Sequence, residues 1–135
     1  MAETRLSKAQ FREMWERCGI SQKMLADRFG VKVLTVKRWE KPGESEPPAD
    51  AQAWLTSMLS AHVKTVEDAV GAVDSMIDQP DHVDLRYYRS QAHYDKFGRG
   101  NGDFALVNAR AREIGMRLES EGIEARFFYP EDNAR

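Results

Sequence analysis

The residues best suited to chemistry in this chain lie between positions 32 and 38. Lys32, Lys37 and Arg38 alternate there with Val33 and Leu34. Lysine and arginine ends donate to phosphate oxygens and to guanine O6 and N7, an arginine reaching both at once, while valine and leucine suit the methyl group of thymine. Displayed together on one helix, these five side chains fit the major groove of duplex DNA. Arg38 is the first candidate for guanine and Lys37 the second. Gln22, Lys23 and Lys41 flank the set and are candidates for phosphate contact. Such a set works only if something holds it outward.

The surrounding residues meet that need. Gln22 to Lys41 reads QKMLADRFGVKVLTVKRWEK. Counting from Gln22, Ala26 is fifth, Gly30 ninth, Val36 fifteenth and Trp39 eighteenth. A small fifth residue lets a second helix cross nearby, and a ninth-position glycine accepts the positive φ of a tight turn. Leu25, Phe29, Val31, Val36 and Trp39 then face inward and lock two helices together. Ser21 is placed to cap the first of them. A helical hairpin that only packs has no need of cations between its anchors.

This pattern resembles the helix-turn-helix of the Cro/C1 (XRE-like) class of phage and bacterial regulators. The matching residues are Ile20-Ser21-Gln22, Leu25-Ala26, Gly30-Val31 and Arg38-Trp39-Glu40, within the N-terminal part of the chain. The chain departs from the class at Val33 and Leu34, where polar residues are usual, and this favours apolar contact with thymine methyls. The resemblance implies a sequence-specific, dimeric transcription regulator. It would be a repressor that binds an inverted-repeat operator through a recognition helix at 32–41. Such a protein is not an enzyme and calls for no cofactor or metal.

Charge agrees once its distribution is considered. The 135 residues carry a formal charge of -2, which taken alone argues against nucleic acid. Residues 1 to 42 hold ten Lys/Arg and five Asp/Glu, a head of +5, and residues 43 to 135 hold ten and seventeen, a body of -7. An acidic body repels phosphate and so favours docking through the head. No apolar run approaches the roughly 18 residues of a membrane span, and the N-terminus has no apolar signal region. With a single cysteine, Cys18, a reducing cytoplasmic location is expected.

Apolar spacing predicts the supporting elements. A first helix runs from about Ser7 to Cys18, with Phe11, Met14 and Trp15 on its stripe and Gly19 as its stop. Lys41-Pro42-Gly43 ends the third helix. A long helix starts near Pro48 or Ala49, with Trp54, Leu55, Met58 and Leu59 packing on the head. A seam of Leu59, Val63, Val66, Val70, Val73 and Ile77 follows at spacings of three and four. Thr65 offers an N-cap should this helix break, and Gly71 weakens its continuity. After Gln79-Pro80-Asp81, Val83, Leu85 and Tyr87 alternate as a strand. Phe104, Val107, Ala111, Ile114 and Leu118 form a helical stripe with Asp103 as N-cap. Ile123, Ala125, Phe127 and Tyr129 alternate as a second strand.

The expected fold is thus mainly α. A helix-turn-helix bundle with its long helix occupies 1–79, and a small strand-helix-strand α/β domain occupies 80–135. Two strands and a helix make a poor core alone and leave strand edges open, so a homodimer is expected, with Tyr87, Phe127 and Tyr129 at its interface. The layout is similar to that of anti-CRISPR-associated autorepressors, through Leu85-Arg86-Tyr87-Tyr88-Arg89-Ser90-Gln91 and the ending Gly122 to Tyr129. That likeness implies dimerisation by the C-terminal part.

Other constellations carry less. His62, His82 and His93 lie on different elements and lack metal-ligand spacing. Pro80 separates Asp74 and Asp78 from Asp81 and Asp84. Ser90, His93 and Asp95 have no nucleophile-elbow motif around them. The aromatics Tyr87, Tyr88, Phe127, Phe128 and Tyr129 suit a core or an interface. Two alternatives stay open: an antitoxin-like module whose C-terminal half grips a protein partner while DNA binding is secondary, and an RNA-binding regulator that uses the aromatic sheet.

Overall fold

Serine caps and left-handed glycines set the first two helices. Ser7 Oγ accepts the Gln10 amide at 3.0 Å and Ser21 Oγ accepts the Met24 amide at 3.1 Å. Each serine thereby satisfies a helix-start donor that has no partner within the helix. Gly19 (φ 79°) and Gly30 (φ 64°) terminate the same helices in the left-handed region, which costs glycine little. The result is α1 (Lys8–Cys18) and α2 (Gln22–Phe29), followed by α3 (Val33–Glu40) and α4 (Ala49–Asp74). Beyond them come β1 (His82–Arg86), α5 (Gln91–Phe97), α6 (Phe104–Ser120), β2 (Glu124–Phe128) and a 3-10 turn at Pro130–Ala134.

This computed structural model describes residues 5–100 and 102–134. It is mainly helical with a small two-stranded parallel sheet. No helix among the described residues is long and apolar enough to cross a membrane. The chain forms two compact units, Met1–Ala61 and His62–Arg135, so α4 contributes its first half to one and its second half to the other.

In the first unit, α1 buries Phe11, Met14, Trp15 and Cys18. The stripe of α2 and α3 buries Leu25, Ala26, Val36 and Trp39, and α4 adds Ala51 and Leu55. Phe11 meets Trp39 edge-to-face at 6.2 Å, and Phe29 meets Trp54 at 5.7 Å. Each fully buried large apolar side chain contributes about 1.5–3 kcal/mol, so these contacts hold α3 far more firmly than its eight residues could by themselves.

In the second unit, β1 and β2 run parallel with Leu85 opposite Phe127. Parallel strands need a crossover, supplied here by α5 and α6, so the unit is strand-helix-helix-strand. Val66 and Val70 of α4 pack with Leu118 and Ile123, and Val73, Val83 and Ile114 close around them. The Asn108 amide clamps the backbone of Tyr88, accepting its N–H at 3.0 Å and donating to its carbonyl at 2.7 Å.

The long helix is unbroken at Thr65 and at Gly71. The seam expected to reach Ile77 stops earlier. Val66 and Val70 are buried, but Ile77 lies beyond the helix and is fully exposed. Gln79 explains the stop. Its amide donates to the carbonyls of Val73, Asp74 and Met76 at 3.1–3.3 Å, so the Val73 and Asp74 carbonyls at the helix end have a side-chain donor.

Candidate nucleic-acid interface

The outer face of α3 carries the cations. Lys37 and Arg38 are exposed, Leu34 is 57% exposed, and Val33 is half-buried. Lys32 is exposed at the N-cap position and makes no side-chain cap bond. Beyond the C-terminal end of α3, Lys41 is exposed too. Among the described residues, no ion pair engages Lys32, Lys37, Arg38 or Lys41. Four positive charges are thereby left available on and beside one helix, while Val36 and Trp39 anchor the opposite side.

The flanking candidates are more constrained. Gln22 is half-buried, and its amide donates to both carboxylate oxygens of Glu40 at 3.2 Å. Glu40 also accepts from the Arg12 guanidinium at 3.0 Å, with its own side chain only 7% exposed. Glu40 therefore ties the end of α3 to α1 and to the first turn of α2. Gln22 keeps its carbonyl oxygen and the α2 N-terminus for other contacts, but its amide is committed. Lys23 pairs with Asp27 one turn along α2 at 3.0 Å, a surface pair worth about 0–1 kcal/mol that an incoming phosphate can displace.

Lys8 was not among the sequence candidates. Its ammonium donates to the carbonyls of Arg38, Trp39 and Ser45 at 3.2, 3.0 and 2.7 Å. A lysine at the start of one helix that caps the end of another 30 residues later leaves no periodic signal. Arg12 was missed for the same reason, and Glu40 was visible only as the close of a motif. Together Arg12, Gln22, Leu34, Lys37, Arg38, Glu40 and Lys41 border a shallow depression beside α3.

The interface candidates of the second unit are partly gathered. Tyr87 and Phe127 meet edge-to-face at 5.6 Å, and the Tyr87 hydroxyl accepts from Arg112 at 2.6 Å. Phe127 is 45% exposed. Tyr129 lies just past β2 and turns to His93 at 5.6 Å and to the Arg89 guanidinium at 5.9 Å.

His93 is buried. Its Nδ1 accepts the Arg89 amide at 3.1 Å, so Nε2 carries the hydrogen that it shares with Glu131 at 2.7 Å. That hydrogen bond holds the Glu131 carboxyl below its ordinary range. Ser90 Oγ is occupied by the His93 amide, as the N-cap of α5. Ser90 thus caps α5, His93 is held by Arg89 and Glu131, and Asp95 accepts from the Gln91 amide at 2.9 Å. His62 is buried against Glu113 at 2.9 Å. Among the described residues, no group of three or more His, Cys, Asp or Glu side chains is placed to hold a metal ion.

No protein-family model matches the chain, and no curated protein matches it.

Proposed function

We propose that this chain is a sequence-specific DNA-binding transcription regulator of the Cro/C1 kind. It acts as a homodimeric repressor on an inverted-repeat operator. Its helix-turn-helix is α2 and α3, with α3 lying in the major groove. The first compact unit carries the DNA-binding part and the second the dimerising part. The single observation that carries this reading is the outer face of α3, where unpaired cations and an exposed leucine stand on a helix locked from behind. A purely packing hairpin gains nothing from leaving these charges unpaired.

The roles follow from position. Arg38 reads guanine, with Lys37 beside it. Val33 and Leu34 meet thymine methyls, and Lys32 reaches the groove from the helix start. Lys41, the amides at the α2 N-terminus and Lys23, once released from Asp27, hold phosphate. Gln22 contributes through its backbone and carbonyl side, because Glu40 holds its amide.

Salt dependence tests the reading. The +5 head, used twice in a dimer, supports roughly 6–10 phosphate contacts, and affinity for duplex DNA then falls by about 10³–10⁵ between about 50 and 200 mM salt. A flat salt response, or no binding to duplex at low salt, contradicts it.

A further inference from the structure

A two-stranded sheet has two open edges, and among the described residues only the β2 edge combines an open backbone with exposed apolar side chains. In β2, the Glu124 amide donates to the Asp81 carbonyl and the Phe128 carbonyl accepts from Tyr87. Residues 124 and 128 therefore turn their backbone groups toward β1. Alternation along the strand turns those of Ala125 and Phe127 away from it. No further strand covers that side among the described residues. Phe127 is 45% exposed, and Met116 of α6 is 63% exposed. Met116 is the neighbour of Gly115, where an added Cβ would meet the Phe127 ring. β1 carries no exposed large apolar residue. An edge like that of β2 is a template for another strand.

The geometry points to a second copy of this chain as the occupant, its β2 pairing antiparallel with this β2 about a twofold axis at Ala125, to give a four-stranded sheet in the order β1-β2-β2-β1. This rests on the homodimer reading above and names its interface. Charge selects the register. A twofold centred on Arg126 sets two guanidiniums directly opposite each other, which is destabilising. One centred on Phe127 sets Arg126 against Phe128 and leaves Glu124 beyond the pairing. Centring on Ala125 sets Glu124 of each copy opposite Arg126 of the other. That extends the Glu124–Arg126 pair already present at 3.1 Å within one chain into a square of alternating charge.

The backbone agrees with this register. Ala125, with its groups directed outward, becomes a hydrogen-bonded pair with its own twin. Glu124 and Arg126 become the closer, non-hydrogen-bonded pair, whose side chains approach best. On the other face of the sheet, Phe127 comes opposite Ile123 of the second copy. The contact is isologous, so it closes on itself as a dimer rather than growing into a fibre.

Two charge-reversal variants test it. Glu124→Arg places arginine at both 124 and 126, and Arg126→Glu places glutamate at both. The expected result is that the unaltered chain sediments as a dimer. Each variant alone, with unchanged circular dichroism, loses at least about tenfold in dimer affinity because like charges now face each other. An equimolar mixture of the two recovers dimerisation as a heterodimer, identified by its mass under native conditions. Three results overturn the proposal: an unaltered chain that is monomeric, variants that dimerise as tightly as the unaltered chain, or a mixture that recovers nothing. The DNA reading fails separately. A chain that dimerises through this edge but binds no duplex keeps the interface and loses the operator.

Discussion

The Lys8 ammonium donates to the Trp39 carbonyl at 3.0 Å, binding the first turn of α1 to the last turn of α3. The same ammonium also reaches the Arg38 and Ser45 carbonyls, and its side chain is only 13% exposed. A cation at this end complements the helix dipole and gives the Trp39 carbonyl a donor, while the Arg38 carbonyl also accepts the Lys41 amide at 3.2 Å.

Lys8→Met keeps the apolar stem and removes the donors. It is expected to destabilise the protein by about 1–3 kcal/mol, read from urea unfolding, and to weaken DNA binding beyond what one lost surface charge explains. An unchanged midpoint would show that solvent serves these carbonyls equally well.

Arg38→Ala is expected to cost about 1–3 kcal/mol of specific affinity and to relax preference at one base pair per half-site. The measurement is binding to the selected duplex and to single-base variants of it. Equal loss on specific and random DNA would place Arg38 on phosphate alone.

Much of this arrangement is legible in the sequence, and what is not has a physical cause. Ser7, Ser21, Gly19 and Gly30 act within a few residues of themselves, so the starts and stops of α1 and α2 are local signals. The inward positions Leu25, Val36 and Trp39 follow helical spacing. The bonds that aim α3 do not, since Lys8 to Trp39 and Arg12 to Glu40 join residues far apart in sequence and of ordinary surface type. The seam through Ile77 misled because its spacing continues past Asp74. The helix ends there, its last carbonyls met by a side chain, Gln79, that no apolar pattern registers.

Gly115 marks the closest approach of α6 to the sheet. A Cβ there would lie 2.9 Å from Phe127 Cζ, 3.2 Å from Ala125 Cβ and 3.4 Å from Leu85 Cδ1. The half-exposed Phe127 ring can swing away, but Ala125 cannot. Gly115→Val is therefore expected to destabilise the second unit by about 1–3 kcal/mol through overpacking. Phe127→Ala in the same chain should relieve only part of that. Thermal unfolding of both variants measures it, and full relief would leave Phe127 as the sole contact that matters.

Two glutamates are expected to respond to acid with opposite signs. The Glu121 carboxyl is held above its ordinary range, first by its hydrogen bond with Asp74, then by burial and by repulsion from Asp74. A raised acid favours the fold below its unfolded value, and that contribution is lost as pH rises through the folded value. Glu121→Gln should therefore raise the Tm near neutral pH and have little effect in acid. Glu131 is lowered, first by the His93 hydrogen bond. Its contribution is present above the ordinary glutamate value and lost as pH falls through the folded one. Glu131→Gln should lower the Tm near neutral pH and converge with the unaltered protein in acid. Tm against pH for the two variants checks both signs.

The central claim is sequence-specific recognition by a dimer, and the ratio of specific to random binding tests it most directly. Duplexes would be selected from random sequence with the full chain, then compared with scrambled duplexes of equal length and composition at one salt concentration. The account predicts a selected site that is an inverted repeat, with half-sites about one helical turn (~10 bp) apart. It should be bound about 10³–10⁷ times more tightly than its scrambled counterpart. Equal affinity for the two, or selection that yields no repeat, would contradict it.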